Sequence, residues 1–286
     1  MWVYAVHRNS SCTPSLFAHL RHFSSLCTPE MDLGSLLVNL QVFDAARLKA
    51  YRESVSAAPL VLLLSRGSLR HEEVLAALTA HLLSPSSVQS LQPSHPSASD
   101  PPPPLPLLLL FFCLYHSARR YQSYLDDFLK RSPVKRCLLA VDMGAELRTA
   151  LESCADAPVE ETLSGRVDHL IQEFRERVVD CRRQTTGLDY SIIVDDISSL
   201  LDLCMTPRQV YQLVDSLGSE ACDLLVLGCH LDEFHSEERL IRLVHLLSRR
   251  SFCVIEITPL VNGYTTSVDG QVFFTPALFF FTRMKY

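Results

Sequence analysis

Glycine is scarce in this chain, and the glycine-rich loops that bind phosphate are missing. Only 9 of the 286 residues are Gly. The P-loop pattern G-x-x-x-x-G-K-[ST], the dinucleotide pattern G-x-G-x-x-G and the nucleophile elbow G-x-S-x-G do not occur. Backbone amides approach a phosphate closely only where several glycines permit it. The sequence therefore argues against ATP, dinucleotide and classical serine hydrolase sites.

Paired cysteines, excess positive charge and long hydrophobic runs are also lacking. The 10 Cys occur singly, without C-x-x-C spacing, so we expect small buried thiols in a reducing compartment and no zinc site. The net charge of -6 provides no global basic field for nucleic acid. The longest apolar run, Leu105 to Tyr115, is about half the ~20 residues of a membrane-spanning helix. With no signal peptide evident, we predict a soluble intracellular protein.

Two segments differ in composition from the rest of the chain. Residues 1–30 are rich in Ser, His and Cys and show weak periodicity, whereas regular patterning begins at Met31. Residues 84–106 are dominated by Ser, Pro, Gln and His, a composition that cannot bury a core. We therefore predict a disordered extension over 1–30, and one domain over 31–286 with a Pro/Ser-rich insertion at about 84–106.

Short apolar runs alternate with amphipathic segments through the predicted domain. The expected strands are 60–64, 107–114, 138–141, 192–194, 224–227 and 252–257. The expected helices are 69–83, 118–128, 167–181, 207–217 and 236–247. This alternation predicts an α/β fold with a mostly parallel sheet flanked by helices. The segments 264–268 and 271–274 flank Asp269-Gly270, so a C-terminal antiparallel hairpin is also predicted.

Two adjacent acids, Asp195 and Asp196, follow the predicted strand 192–194. In P-loop nucleoside triphosphatases, an acid at such a strand end organises a metal ion and its water. The matching phosphate loop should follow the first core strand, where the chain has Ser65-Arg-Gly-Ser-Leu-Arg-His-Glu-Glu73. This stretch has one Gly and no Lys-Ser or Lys-Thr pair. Two interpretations remain, a degenerate metal-organising strand end or a structural cap on the next helix, and we favour the cap.

Basic clusters are the candidate nucleic-acid contacts, because cations can bind RNA phosphates. The candidates are Lys130, Arg131, Lys135, Arg136, Arg249 and Arg250. The alternative, which we take as the default, is that these clusters are solvated loops. The loop His230 to His235 follows a strand, where α/β sites usually lie, but its spacing matches no zinc motif. We therefore expect no catalytic residue, metal or cofactor.

An ordered set of segments resembles the Elongator complex protein 6 family. The segments are Tyr190–Leu201, Cys229–Glu233 and Ile257–Gln271, together with a start like Met31–Leu37. The resemblance implies a RecA-like fold that lacks the ATPase motifs and binds no cofactor. It implies a hetero-hexameric ring with Elongator proteins 4 and 5, attached to the Elongator catalytic subcomplex. That ring binds tRNA and supports wobble-uridine modification, in the cytoplasm with the nucleus as a second location.

Two other functions remain open at this point. The first is an active RecA-like ATPase, which the stretch Ser65 to Glu73 argues against. The second is an α/β hydrolase-like enzyme that uses Asp195, Asp232 or His235. Co-purification with the two expected partners separates the ring subunit from both alternatives.

Overall fold

The computed structural model describes residues 2–7, 17–20, 31–32, 48, 50–53, 57–67, 71–82, 108–129, 137–152, 169, 172–180, 183, 190–203, 205–219, 222–231, 238–259 and 270–276. Its strands are β1 (Trp2–His7), β2 (Phe17–Leu20), β3 (Met31–Asp32), β4 (Leu60–Arg66), β5 (Leu108–Phe112), β6 (Cys137–Val141), β7 (Tyr190–Val194), β8 (Leu224–Leu231), β9 (Cys253–Pro259) and β10 (Gly270–Pro276). Its helices are α1 (Glu72–Leu82), α2 (Ala118–Leu129), α3 (Met143–Glu152), α4 (Ser199–Asp202), α5 (Pro207–Ser219) and α6 (Glu238–Arg250). Residues 172–180 are also helical.

Six strands form an all-parallel sheet in the order β9-β4-β8-β7-β5-β6. The sequence predicted each of these strands, and the α/β class with a mostly parallel sheet is confirmed. Strand β4 lies between β8 and β9, and every residue from Leu60 to Ser65 is buried. Such uninterrupted burial is typical of a parallel strand that is covered on both faces.

Helices cover both faces of this parallel sheet. On one face, α1 and α2 pack through Leu75, Leu78 and Tyr121 against alternate strand residues such as Val61 and Ile193. On the other face, α5, α6 and the helical segment 172–180 pack against the remaining strand residues. The connections leaving the neighbouring strands β4 and β8 therefore lie on opposite faces, as do those leaving β5 and β7. In α/β sheets, ligands bind outside the carboxyl ends of neighbouring strands whose connections leave on opposite faces.

Antiparallel strands extend the sheet beyond β9 in the order β10-β1-β2-β3. Strand β1 pairs with β10, with Trp2 opposite Phe274 and Val6 opposite Gly270. Strands β1 and β2 lie within residues 1–30, for which the sequence predicts a disordered extension. Aromatic and β-branched residues in β1 favour a strand, and its partner lies more than 260 residues away, beyond the reach of local patterning.

The predicted C-terminal hairpin has one arm within the described residues. That arm, β10, pairs antiparallel with β9, with Gly270 opposite Pro259 and Pro276 opposite Cys253. Its other edge carries β1. Residues 264–268, the predicted first arm, lie outside the described residues, as does the predicted insertion at about 84–106.

Helix α3 was not predicted, although its start carries a recognisable signal. The carboxylate of Asp142 accepts a hydrogen bond from the Ala145 amide at 3.0 Å, which is the N-cap arrangement. Met143 at the start of α3 is buried among the core residues. An acid directly after the short apolar run of β6 would have identified this helix.

Candidate functional site

Polar side chains gather at the carboxyl edge of the parallel sheet, between the ends of β4, β5, β7 and β8. We call this group the carboxyl-edge network; its members are Ser65, His71, Glu72, His116, Asp195, Asp196 and His230. Each member lies at or just beyond the point where an apolar strand ends. Parallel strands bring these ends together at one edge, which is where a ligand of an α/β protein would bind.

Asp195 is fully buried, and four backbone amides donate to its carboxylate. The donors are Leu114 at 2.6 Å, Asp196 at 2.7 Å, His116 at 3.0 Å and Tyr115 at 3.1 Å. An ionised carboxylate offers about four lone-pair positions. These amides therefore occupy the acceptor capacity that a metal ion or its bound water would need.

The partners of Asp195 correct one detail of the favoured structural interpretation. Asp195 does not cap the helix that follows it; it fixes the loop after β5 onto the end of β7. Asp196 bonds the turn before α4, where its Oδ1 accepts from the Ser198 amide at 3.0 Å and from the Ser198 hydroxyl. The N-cap residue of α4 is Ser198, which makes no side-chain capping bond. The His230 amide of β8 also donates to Asp196 Oδ1, at 3.4 Å. Both acids therefore have structural partners at the strand end.

A chain of hydrogen bonds links β4, β8 and β7 through Ser65. Ser65 Oγ lies 2.8 Å from His71 Nδ1 and 2.9 Å from His230 Nδ1, and His71 Nε2 lies 2.6 Å from the Asp195 carbonyl oxygen. Because a carbonyl oxygen can only accept, Nε2 of His71 carries the proton. In neutral His71, Nδ1 then accepts from the Ser65 hydroxyl, and Ser65 Oγ in turn accepts from His230 Nδ1.

Burial limits what this serine and its histidines can do chemically. Ser65 is 0% exposed and His71 is 3% exposed, so a substrate cannot reach the hydroxyl in this arrangement. A nucleophilic serine needs an accessible oxygen and a base whose second nitrogen is correctly oriented. Here the second nitrogen of His71 is bonded to a backbone carbonyl. Asp232 and His235, named in the hydrolase alternative, lie outside the described residues.

Arg66, Gly67 and Glu72, described residues at the position expected for a phosphate loop, also form bonds within the protein. The Gly67 amide donates to the Leu231 carbonyl oxygen at 3.1 Å, and Gly67 has a φ of 61°, a conformation that glycine adopts without strain. Arg66 pairs with Glu256 of β9. Helix α1 begins with the buried Glu72, which pairs with His116. A carboxylate in this first turn favours the helix dipole and repels a phosphate.

Gly228 is a functional-site residue that sequence reasoning missed. A β-carbon at this position would overlap the backbone oxygen of Asp195 and the imidazole of His71. The Gly228 carbonyl accepts from the Ile197 amide at 2.8 Å, which draws the turn after β7 against β8. A lone Gly inside an apolar strand often marks such a close approach, so the signal was present in Leu224–Leu231.

Burial raises the pKa of Asp195 to about 6, from an ordinary value of 3.8. Desolvation is the largest cause, and the negative charge of Asp196 acts in the same direction. The hydrogen bonds from Leu114 and His116 lower the pKa but do not offset the burial. Protonated Asp195 therefore favours the folded state, and ionisation weakens it.

We expect the contribution of Asp195 to stability to fall as the pH rises through about 6. Since the folded carboxyl binds its proton more tightly than the unfolded one, the proton-linked part of this contribution is complete below about pH 4 and is lost by about pH 7. The hydrogen bonds from the four amides to the carboxylate remain. The change corresponds to about 3 kcal/mol at ~1.4 kcal/mol per pKa unit. Urea unfolding of the wild type and of Asp195→Asn across this range measures it as the difference between the two profiles. Parallel profiles would contradict the expectation.

The basic residues chosen from the sequence differ in their surroundings. Arg249 is exposed on α6. Arg250 has only 7% of its side chain exposed, and its Nε lies 3.3 Å from Asp215 Oδ1. Within the described part of the chain, Nη1 and Nη2 of Arg250 have no hydrogen-bond partner. Burial therefore removes Arg250 from the candidate phosphate contacts. Lys130, Arg131, Lys135 and Arg136 lie outside the described residues.

Among the described residues, four cysteines bear on the expectation of buried thiols. Cys113, Cys222, Cys229 and Cys253 are all buried and free, so the expectation is confirmed for them. Burial raises the pKa of Cys222 and Cys253 to about 12. Thiols with pKa values this high remain protonated near neutral pH and react poorly.

Within the described residues, no three side chains among His, Cys, Asp and Glu are grouped so as to hold a metal ion. Across the same ranges, no helix combines the length and the apolar character needed to cross a bilayer.

The fold and this edge define a doubly wound α/β domain with a closed carboxyl-edge network. No family model matches the chain, and no curated protein matches it either. Among solved structures, it is similar to an uncharacterised protein from Pyrococcus horikoshii, crystallised in complex with an unknown peptide. The two share 12% identity with a TM-score of 0.44, over 81% of this chain and 90% of that one. A similarity this weak supports no argument about function or ligands.

Proposed function

We propose that this chain is a non-catalytic, RecA-like subunit of the Elongator complex. It assembles with Elongator proteins 4 and 5 into a hetero-hexameric ring that joins the Elongator catalytic subcomplex, binds tRNA and supports wobble-uridine modification. The subunit acts in the cytoplasm, with the nucleus as a second location. The observation that carries the proposal is the closed carboxyl-edge network, in which Asp195 is saturated by four amides.

The residues on which the family resemblance rests support this proposal by their position. Tyr190–Leu201 contains β7, the two acids at its end and the start of α4. Cys229 and His230 form the end of the neighbouring β8. A RecA-like scaffold needs such central parallel strands even when it binds no nucleotide. Strand ends whose polar groups bond within the chain suit a subunit that contributes surface to a ring.

The two catalytic alternatives receive no support from this edge. An ATPase needs free backbone amides after β4, yet the Gly67 amide is bonded to Leu231. A hydrolase needs an accessible nucleophile, yet Ser65 is completely buried. The ring subunit is therefore the function that agrees best with the contacts of the described residues.

Co-expression with Elongator proteins 4 and 5 tests the proposal. We expect the three chains to co-purify as a six-subunit ring that binds labelled tRNA, and this chain alone to show no ATP hydrolysis. Because Asp195 holds a loop and no metal ion, Asp195→Asn in the ring should leave ATP turnover per assembled ring unchanged within about twofold.

Asp180→Asn is the matched control, since the Asp180 side chain is 62% exposed and pairs with Arg183, which is not a member of the network. A stable monomer that hydrolyses ATP by itself would refute the proposal. So would a fall in ring turnover that is specific to Asp195→Asn while assembly stays intact.

A further inference from the structure

Tyr115 is exposed, yet its backbone is firmly held at the carboxyl edge. Its side chain lies in the loop between β5 and α2 and is 44% exposed. The amides of Leu114, Tyr115 and His116 all donate to the buried Asp195 carboxylate. Exposed aromatic residues on loops that a rigid scaffold positions are typical of binding sites. Tyr115 therefore projects from a fixed base into solvent.

The neighbouring His116 adds a second restraint on the same loop. The rings of Tyr115 and His116 meet edge to face, with centroids 4.6 Å apart. The His116 imidazole is in turn paired with the buried Glu72 at the start of α1. An aromatic side chain that is already oriented loses less conformational freedom on binding a ligand.

Two arginines follow within one helical turn of this loop. Arg119 and Arg120 are both exposed at the start of α2. The first turn of α2 contains no acidic residue. Both arginines therefore place positive charge at an exposed helix start, on a chain whose net charge is -6. We call Tyr115, Arg119 and Arg120 the Tyr115 patch.

We propose that the Tyr115 patch binds single-stranded RNA, with a base stacked on Tyr115 and phosphates contacted by Arg119 and Arg120. An aromatic ring beside cations is the arrangement by which proteins hold unpaired bases without reading sequence. The proposal names a contact surface for the RNA binding in the proposed function, and in that respect rests on it. The patch lies apart from the basic clusters that the sequence suggested.

The surroundings of Tyr115 favour RNA over a protein partner. A protein interface needs a contiguous apolar core around its aromatic anchors. Among the described residues, the other exposed large hydrophobic side chains are Leu139, Ile241 and Leu246, on β6 and α6. In the five residues that follow Tyr115 along the chain, the exposed ones are Ser117, Arg119 and Arg120. This polar, cationic setting suits a base and its phosphates.

Fluorescence anisotropy with a labelled single-stranded RNA of about 12 nucleotides tests the patch on the purified chain. Tyr115→Ser is expected to lower the affinity by about 5- to 100-fold, because stacking on the ring is lost. Tyr115→Phe should stay within about twofold of the wild type, since the ring remains. Each of Arg119→Gln and Arg120→Gln should reduce the slope of log affinity against log salt by about 0.7.

The matched controls are Arg208→Gln, an exposed arginine in the first turn of α5, and Leu139→Ser, an exposed apolar residue on β6. Both should leave the affinity for RNA unchanged. Absence of RNA binding by the wild type, or equal affinity of Tyr115→Ser and the wild type, overturns the proposal. If Tyr115→Ser blocks co-purification with Elongator proteins 4 and 5 but not RNA binding, the patch is a protein contact and the proposal is also overturned.

Ring assembly is measured without RNA, and RNA binding is measured on the single chain. If the ring does not assemble but Tyr115→Ser still weakens RNA binding, the proposed function is rejected and the Tyr115 patch is retained. If the ring assembles and the patch variants bind RNA as the wild type does, the proposed function is retained and the Tyr115 patch is rejected.

Discussion

Replacing Asp195 with Ala is expected to destabilise the folded chain by about 3–5 kcal/mol. The change leaves four backbone amides without their acceptor, and the Asp195 position itself is fully buried. An unsatisfied buried donor costs about 1–3 kcal/mol, and two of these hydrogen bonds are fully buried. Urea unfolding followed by circular dichroism measures the loss, with Asp180→Ala as the exposed control.

The same variant reports where the damage is located. Because three of the four amides belong to Leu114, Tyr115 and His116, their hydrogen exchange should accelerate more than that of the β8 amides. A destabilisation below about 1 kcal/mol, with unchanged exchange in this loop, would show that Asp195 does not anchor it. In that case the acid would again be a candidate for a metal-organising role.

Gly228→Ala is expected to cost about 3 kcal/mol or more, or to prevent soluble expression. The added β-carbon overlaps the backbone oxygen of Asp195, which β7 holds in place, and the His71 imidazole. Overpacking a rigid core typically costs about 1–3 kcal/mol, and contact with backbone lies at the upper end because little can move. Thermal unfolding, or the soluble fraction when the protein does not purify, gives the comparison.

Gly218→Ala is the matched control for this substitution. The three atoms nearest to a β-carbon at Gly218 belong to the guanidinium of Arg250, the far end of a long side chain, so we expect a smaller loss. Adding His71→Ala to Gly228→Ala should not restore stability, because the Asp195 carbonyl remains in the way. Equal effects of the two glycine substitutions, or full rescue by His71→Ala, would contradict the steric explanation.

The polar side chains of the carboxyl-edge network form their hydrogen bonds within the protein. Asp195, Ser65 and His71 are residue types that catalysts use, but each is buried and bonded to the protein itself. Their shared effect is to join the ends of β4, β7 and β8 and to fix the loop that carries Tyr115. Within the described residues, these bonds hold the backbone of the exposed Tyr115 in place.

Part of the fold was predictable because strands in a parallel sheet have a local signature. Runs such as Leu60–Leu64 are continuously apolar, since helices bury both of their faces. The start of α5 was equally local: Thr206 precedes Pro207, and the Thr206 hydroxyl accepts from the Gln209 amide at 3.3 Å. Strand β1 was missed because its pairing partner, β10, lies at the other end of the chain.

The candidate site was predictable only in its residue types and its place along the chain. The sequence alone determined that Asp195 and Asp196 end a buried strand and that no phosphate loop follows β4, because both statements depend on neighbouring residues. Only the tertiary structure decided which groups meet these acids. The donors to Asp195 from the loop after β5 lie about 80 residues away in sequence, and sheet order alone brings them together. Hydrogen bonds and close packing between distant segments leave no local pattern, so the closed edge, the role of Gly228 and the exposure of Tyr115 emerged only from the folded chain.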